Sequence, residues 1–278
     1  MGFYSRHLKR DLALPEFRKN LLDAAISDLT GDGDVLAVYL GGSLATGDVD
    51  LYSDIDLRIV VDPEKHSPFI ANKLNRPGRW GNVLFFEDLG ATVAHTVAHF
   101  DCFIKTDVFY YRPEDLRPSI FMQATKILHD PLGLVEQAYE DSLSLSYKPT
   151  HDEFERWRGK VFAYLHEIYR RVMRQEMYYA LKMMNGLAGF ILQAWHMESG
   201  RFPGLWADWS KVEGQRTVLD DWQLSLLASW HCEPNQSDIM KTMQSMLPEL
   251  SRLNRTLSRF LGCDERTDLW EQVIRMII

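Results

Sequence analysis

Cysteine is scarce in this chain: there are three among 278 residues, Cys102, Cys232 and Cys263. They lie far apart, are odd in number and form no Cys-x-x-Cys pair. That argues against a disulfide framework and a cysteine-based zinc knuckle, and it leads us to expect a reducing, cytoplasmic setting. Long apolar runs are missing too, so no bilayer-spanning helix and no membrane partner are expected. Positions 1–7 hold no apolar signal core, and Arg6 stands where a myristoylation pattern needs Ser or Thr, so neither signal is expected. A positive surplus is absent as well. Thirty-one Lys and Arg face 39 Asp and Glu, a formal net charge of −8. An acidic surface argues against a protein built to grip nucleic-acid phosphates, so no nucleic-acid partner is expected.

What is present is ordinary globular material. Hydrophobic residues make up 46% and charged residues 25%, enough for one large domain or two modest ones with real cores. Residues 15–28 form an amphipathic pattern with Pro15 suited to a first helical turn and Phe17, Leu21, Leu22, Ala25 and Ile26 as the apolar stripe. Val35–Leu40 is a short apolar run fit for a buried strand, stopped by Gly41-Gly42-Ser43. Ser53–Val61 is a second strand, ended by Asp62-Pro63. Val83–Phe86, Thr92–Phe100 and Phe103–Tyr111 are further strands, although the mixed faces of Thr92–Phe100 leave a short helix open there.

After Pro131–Gly133 nearly everything has helical periodicity: 153–174 and 175–199 (one helix or two), 219–230 and 237–261. The shift in pattern near residues 145–150 places a boundary there. The fold class is therefore α+β: an N-terminal α/β domain with a mixed sheet over 1–145, then a helical bundle over 146–278.

The informative stretch runs from Leu40 to Leu57 and has a later companion. First, a strand ends in Gly42-Ser43. Glycine lets a phosphate approach the backbone, successive N–H groups can form an anion nest, and Ser43 adds a hydroxyl. Second, Asp54-Ile55-Asp56 follows about eleven residues later. Positions two apart on a strand share a face, so both carboxylates point one way while Ile55 and Leu57 enter the core. Third, a later strand offers Asp107. An isolated Asp-x-Asp is usually only the wet face of an edge strand. Three carboxylates beside a Gly-Ser strand end make instead a cradle for two divalent cations, with Mg²⁺ favoured by hard oxygen ligands.

Gly42-Ser43 followed by Asp54-Ile55-Asp56 resembles the signature of the DNA polymerase β nucleotidyltransferase superfamily. The run from Gly42 to Leu57, and Thr125–Leu134 after it, resemble that superfamily's antibiotic-modifying branch, the aminoglycoside and lincosamide nucleotidyltransferases. The resemblance covers roughly residues 35–135. It implies that Gly42 and Ser43 contact the β- and γ-phosphates, that Asp54 and Asp56 bind metal, and that Asp107 completes the metal site or acts as base. It also implies a reaction in which ATP or another NTP places its nucleoside monophosphate on a small-molecule hydroxyl, with the helical half binding the acceptor and the protein a monomer or homodimer.

Ser53 and Lys182 are added as nucleotide-binding candidates. Lys182 falls on a polar stripe with Glu167, Arg171, Arg174 and Tyr178. A solvated helix face with ordinary ion pairs such as Glu167–Arg171 is the plainer alternative. Lys105 and Arg58 share faces with the carboxylates and are candidates for a phosphate or for pairing with Asp107. Glu87 and Asp101 are alternative bases. His95 and His99 would suit zinc only if their segment were a helix. Trp195, Trp206, Trp209, Trp222, Tyr178 and Tyr179 line a substrate pocket or fill a core. Two rival functions remain on the sequence: adenylylation of a protein hydroxyl, of toxin–antitoxin or regulatory type, and a nucleotide-binding module without turnover.

Overall fold

The computed structural model describes residues 6–204 and 208–278. The chain divides into two compact units, Met1–Ser146 and Tyr147–Ile278. In the first, a six-stranded sheet has the order β3-β4-β5-β2-β1-β6. Its strands are β1 (Val35–Leu40), β2 (Ile55–Val61), β3 (Val83–Glu87), β4 (His95–Phe100), β5 (Lys105–Tyr111) and β6 (Lys126–His129). The sheet is mixed: β2 and β5 run parallel, and the other neighbours are antiparallel.

Strand alternation sorts the residues. Leu57, Ile59, Val108, Tyr110, Ala98 and Phe100 are buried on one face with Leu14, Leu21, Ala25 and Leu29 of helix α1 (Leu8–Thr30). The opposite face is polar through its middle. At one end it is closed by Tyr39, Ala37 and Val60 packing on Met122, Val135 and Ala138, the last two from α4 (Leu134–Ser142).

Helix α1 starts seven residues earlier than the first-turn reading of Pro15 implies, so Pro15 lies inside it. An interior proline costs about 3 kcal/mol. Tertiary contacts of the preceding turn oppose that cost. The Tyr52 hydroxyl donates to Asp11 at 3.0 Å, and Arg10 lies 3.9 Å above the Phe103 ring. Residues 95–100 are a strand, which settles the helix alternative. β2 begins at Ile55 rather than Ser53, because Ser53 is used in a turn. The edge strand β6 has only four residues, too few to show a period in sequence.

Between β2 and β3 lie a short helix α3 (His66–Ala71) and then Lys73, whose side chain is 2% exposed. Its ammonium donates to the carbonyls of Gly90, Val93 and His95 at 2.7, 2.8 and 3.2 Å and pairs with Asp88 at 2.5 Å. This lysine ties down the β3–β4 connection.

The second unit contains α5 (His151–Met173), α6 (Met177–Glu198), α7 (Asp221–Ser229), α8 (Gln236–Leu261) and α9 (Thr267–Arg275). A capping box between Thr150 and Glu153 starts α5. The long helical stretch breaks at Gln175, whose φ is +61°. Consequently Arg174, Tyr178 and Lys182 do not continue the stripe of Glu167 and Arg171 along one helix. Arg171 instead pairs with Glu167 and Glu176 and covers the Tyr179 ring at 4.1 Å. The core packs Trp157, Leu165, Ile191, Trp195, Met243 and Leu250 from α5, α6 and α8. Trp195 is core, Trp222 is partly exposed, and Trp206 lies outside the described residues.

Replacing Lys73 by Met strands three carbonyls and Asp88. We expect it to destabilise the first unit by about 3 kcal/mol, seen as a lower urea midpoint of the sheet's unfolding transition.

Candidate active site

The polar middle of the sheet is built from neighbouring strands in register. β2 and β5 pair Asp56 with Asp107 directly. In a parallel ladder such neighbours stand side by side on one face, roughly 5 Å apart. Asp54 precedes the first residue of β2 and still faces the same place: the Lys105 ammonium donates to Asp54 at 2.9 Å and to Asp107 at 3.0 Å. The three predicted carboxylates are thus gathered on one face, with an ammonium between two of them. They are less tightly drawn than one shared ion needs. Among the described residues, the one group of three or more ligand-type side chains whose ligand atoms lie within 4.8 Å of one another is His151, Glu155 and Cys263, and there Glu155 is already paired with Arg158 and Arg266.

Electrostatics agree with this placing. Burial, then the neighbouring charges of Asp54 and Asp107, push the Asp56 carboxyl above its ordinary range, against the pull of Arg58 and Lys105. Burial works against the Lys105 charge, but its bonds to Asp54 and Asp107 outweigh that and hold the ammonium well above the ordinary lysine range. The donor set is all oxygen and one cationic group already stands in it. The residues therefore fit a hard divalent cation, for which the Lys105 ammonium is the stand-in.

The glycine turn meets the carboxylates because β1 lies antiparallel to β2. The Gly41 amide donates to the Asp56 carbonyl at 3.0 Å. Gly42 has φ +59°, and a Cβ there would stand 1.8 Å from Asp56 Oδ2. A Cβ on Gly41 would stand 1.7 Å from Arg58 Nη1. Each glycine thus leaves space for one side chain of β2. Gly42–Thr46 form a short helix, α2, with no side-chain cap at its start and with Ser43 buried in it. Arg58 is neither at the surface nor ion-paired with Asp107. It lies beneath Gly41 and 5.3 Å from the Phe109 ring centre, with Nη1 buried and without a hydrogen-bond partner.

The remaining candidates divide. The Ser53 hydroxyl donates to Asp50 at 3.0 Å and accepts from the Asp50 amide at 2.9 Å, while the Ser53 carbonyl accepts from Arg18 at 2.9 Å. This residue shapes the turn that delivers Asp54. Lys182 is exposed on α6 in the second unit. Glu87 is in register with Val97, itself the partner of Asp107, so it shares the polar face two strands away, paired with His99 at 2.6 Å. Asp101 accepts from Asn82 at 2.9 Å in the turn after β4, beyond the carboxylates. His95 and His99 stack on Phe109 and Phe85, each at 4.2 Å. Their strand spacing removes the zinc alternative.

Two features went unread in the sequence. One is Lys105 reaching Asp54 as well as Asp107, which its place two residues before Asp107 hinted at. The other is the separate task of Gly41, for which the doubled glycine before Ser43 was the signal. In the second unit a cavity of about 750 Å³ is lined by Leu181, Met184, Trp209, Glu213, Trp230 and others. The Trp230 indole nitrogen is buried without an acceptor.

Comparison with known proteins gives a family. Residues 17–197 match the sequence model of a family described as streptomycin adenylyltransferase. No curated protein sequence matches the chain. An aminoglycoside 6-adenyltransferase from Bacillus subtilis aligns over 92% of this chain and 98% of its own, at 13% identity and a TM-score of 0.41. A nucleotidyltransferase-like protein from Exiguobacterium sibiricum 255-15 aligns over 88% and 78%, at 10% identity and a TM-score of 0.43.

Two outcomes follow from the geometry. Gly42→Ala combines a left-handed backbone with a collision against Asp56, so it should destabilise the first unit by roughly 1–3 kcal/mol, read as a lowered melting temperature. The raised Asp56 carboxyl favours folding when protonated. That contribution is present below the ordinary carboxylate range and is lost as pH rises through the elevated value. In chelator at neutral pH, Asp56→Asn should therefore melt higher than the parent, with the difference vanishing in acid.

Proposed function

This chain belongs to the streptomycin adenylyltransferase family, and from that premise we propose that it transfers AMP from ATP to a hydroxyl of a small molecule, releasing pyrophosphate. It is a nucleotidyltransferase. The observation that carries the finer reading is the register of Asp56 with Asp107, with Asp54 joined to them through Lys105, beside a glycine turn fitted to the Asp56 carboxylate.

In this reading the acceptor oxygen forms a bond to the α-phosphorus. The bond from that phosphorus to the bridging oxygen breaks, and pyrophosphate leaves with the electron pair. Asp54, Asp56 and Asp107 hold two divalent cations, with Mg²⁺ the best match to three carboxylates. Bound cations supply charge stabilisation at the phosphoryl oxygens and make the acceptor hydroxyl easier to ionise. Asp107 would complete the metal site or receive the hydroxyl proton, with Glu87 on the same polar face the alternative base. Gly42 and Ser43 bring backbone N–H groups to the β- and γ-phosphates. Ser53 shapes the turn that delivers Asp54 and stays a nucleotide-binding candidate. Lys182 is the second unit's candidate for a phosphate contact.

The second unit, in this reading, binds the acceptor. Its cavity of about 750 Å³ has the size of a small-molecule site. A mixed lining, with Asn185, Glu213 and His231 beside apolar residues, suits a polar compound with a cationic amine, of aminoglycoside or lincosamide type. That cavity and the family together favour a small molecule over a protein acceptor.

The test is pyrophosphate release from ATP and Mg²⁺ across aminoglycosides and lincosamides. Asp54→Asn and Asp56→Asn should each lower the rate about a thousand-fold or more, the cost of several kcal/mol of transition-state stabilisation. Unchanged rates in either variant would refute the metal assignment. Label from ATP appearing on protein in a lysate, and not on any small molecule, would move the acceptor to a protein hydroxyl.

A further inference from the structure

We propose that Lys105 is a displaceable internal counter-ion: it holds the carboxylates together in the metal-free enzyme, competes with the metal, and gives up its place on loading. The inference rests on the reading of Asp54, Asp56 and Asp107 as metal ligands.

The two well-placed lysines of this unit make the contrast. Lys73 is 2% exposed and donates to three backbone carbonyls that cannot move away. It is a fixed structural cation. The Lys105 side chain is 36% exposed and its ion-pair partners are Asp54 and Asp107, which are 35% and 16% exposed. The Lys105 side chain is thus partly open to solvent, and both of its ion-pair partners are side chains rather than fixed backbone. A long flexible stem can carry such a head into solvent at little cost. Lys105 and a hard cation use the same carboxylate oxygens, so occupancy by one excludes the other.

The surrounding charges explain why a counter-ion is needed. Asp56 gains nothing directly from the ammonium's hydrogen bonds and sits beside two like charges. Arg58 is held under Gly41, and Arg18 acts on Asp54 from α1. Without Lys105, three carboxylates on one sheet face would have those two guanidinium groups against them. Lys105 therefore makes the empty cradle affordable for the fold, and it makes a bare divalent ion a weak ligand. A cation that arrives with a triphosphate escapes this penalty, because the released ammonium then has phosphate oxygens to meet. Lys105 is in this sense a positioning residue that couples metal entry to nucleotide.

The test uses the full chain with Mn²⁺ alone as the probe, comparing the parent, Lys105→Met and Lys105→Arg. Binding is read by the loss of the free-ion electron paramagnetic resonance signal. Only the fraction abolished by Asp56→Asn is counted, which removes any contribution from His151, Glu155 and Cys263. Melting temperature is read in chelator and in Mn²⁺. Lys105→Met should bind Mn²⁺ about tenfold more tightly than the parent, melt lower in chelator, and gain more on adding Mn²⁺. Lys105→Arg, which keeps the charge, should melt in chelator like the parent. If parent and Lys105→Met bind Mn²⁺ equally, the counter-ion role is overturned while the metal site stands. If neither binds Mn²⁺ in a manner sensitive to Asp56→Asn, the metal site and the counter-ion role fall together.

Discussion

Carboxylates at Asp54, Asp56 and Asp107 repel one another, and the parallel pairing of β2 with β5 forces them onto one face regardless. The rest of the first unit can be understood as a response to that constraint. The opposite face of the sheet is largely apolar and is buried against α1. That burial supplies the stability that an uncompensated charge cluster consumes. Lys105 and Arg58 offset part of the repulsion from within the sheet. The β1 turn has no side chains where Asp56 and Arg58 need space. A clustering of like charges of this kind is more common at functional sites than at structural ones.

The two units differ in the resources they offer. The first has a charged sheet face with its carboxylates partly open to water. The second has helices around a large aromatic and aliphatic core, with a cavity lined by apolar and polar side chains. The proposed adenylyl transfer would draw on both, oxygen ligands for the triphosphate and a cavity for the acceptor.

Much of the first unit was legible because a strand writes its faces into sequence at a period of two. β1, β2, β3 and β5 stood out, and so did the sharing of a face by Asp56 and Arg58 and by Lys105 and Asp107. The elements that escaped were governed by contacts rather than period. Pro15 looked like a helix start, but Tyr52 and Phe103 anchor the turn before it. Period leaves 153–174 and 175–199 as one helix or two, and the left-handed backbone of Gln175 makes them two. Nor does period show that the Ser53 hydroxyl exchanges hydrogen bonds with Asp50 in the turn before β2.

From the sequence alone came the residue types and their local faces: a glycine turn, a pair of aspartates two apart, a later aspartate on an alternating strand, and a helical half. Those are properties of neighbours along the chain, set by backbone geometry over a few residues. Strand order and register are different, because they join segments about fifty residues apart and depend on which apolar faces pack best. Only the folded sheet decided that Asp56 stands beside Asp107 and that Glu87 shares their face. It also decided that Lys105, rather than solvent, answers the charge of Asp54.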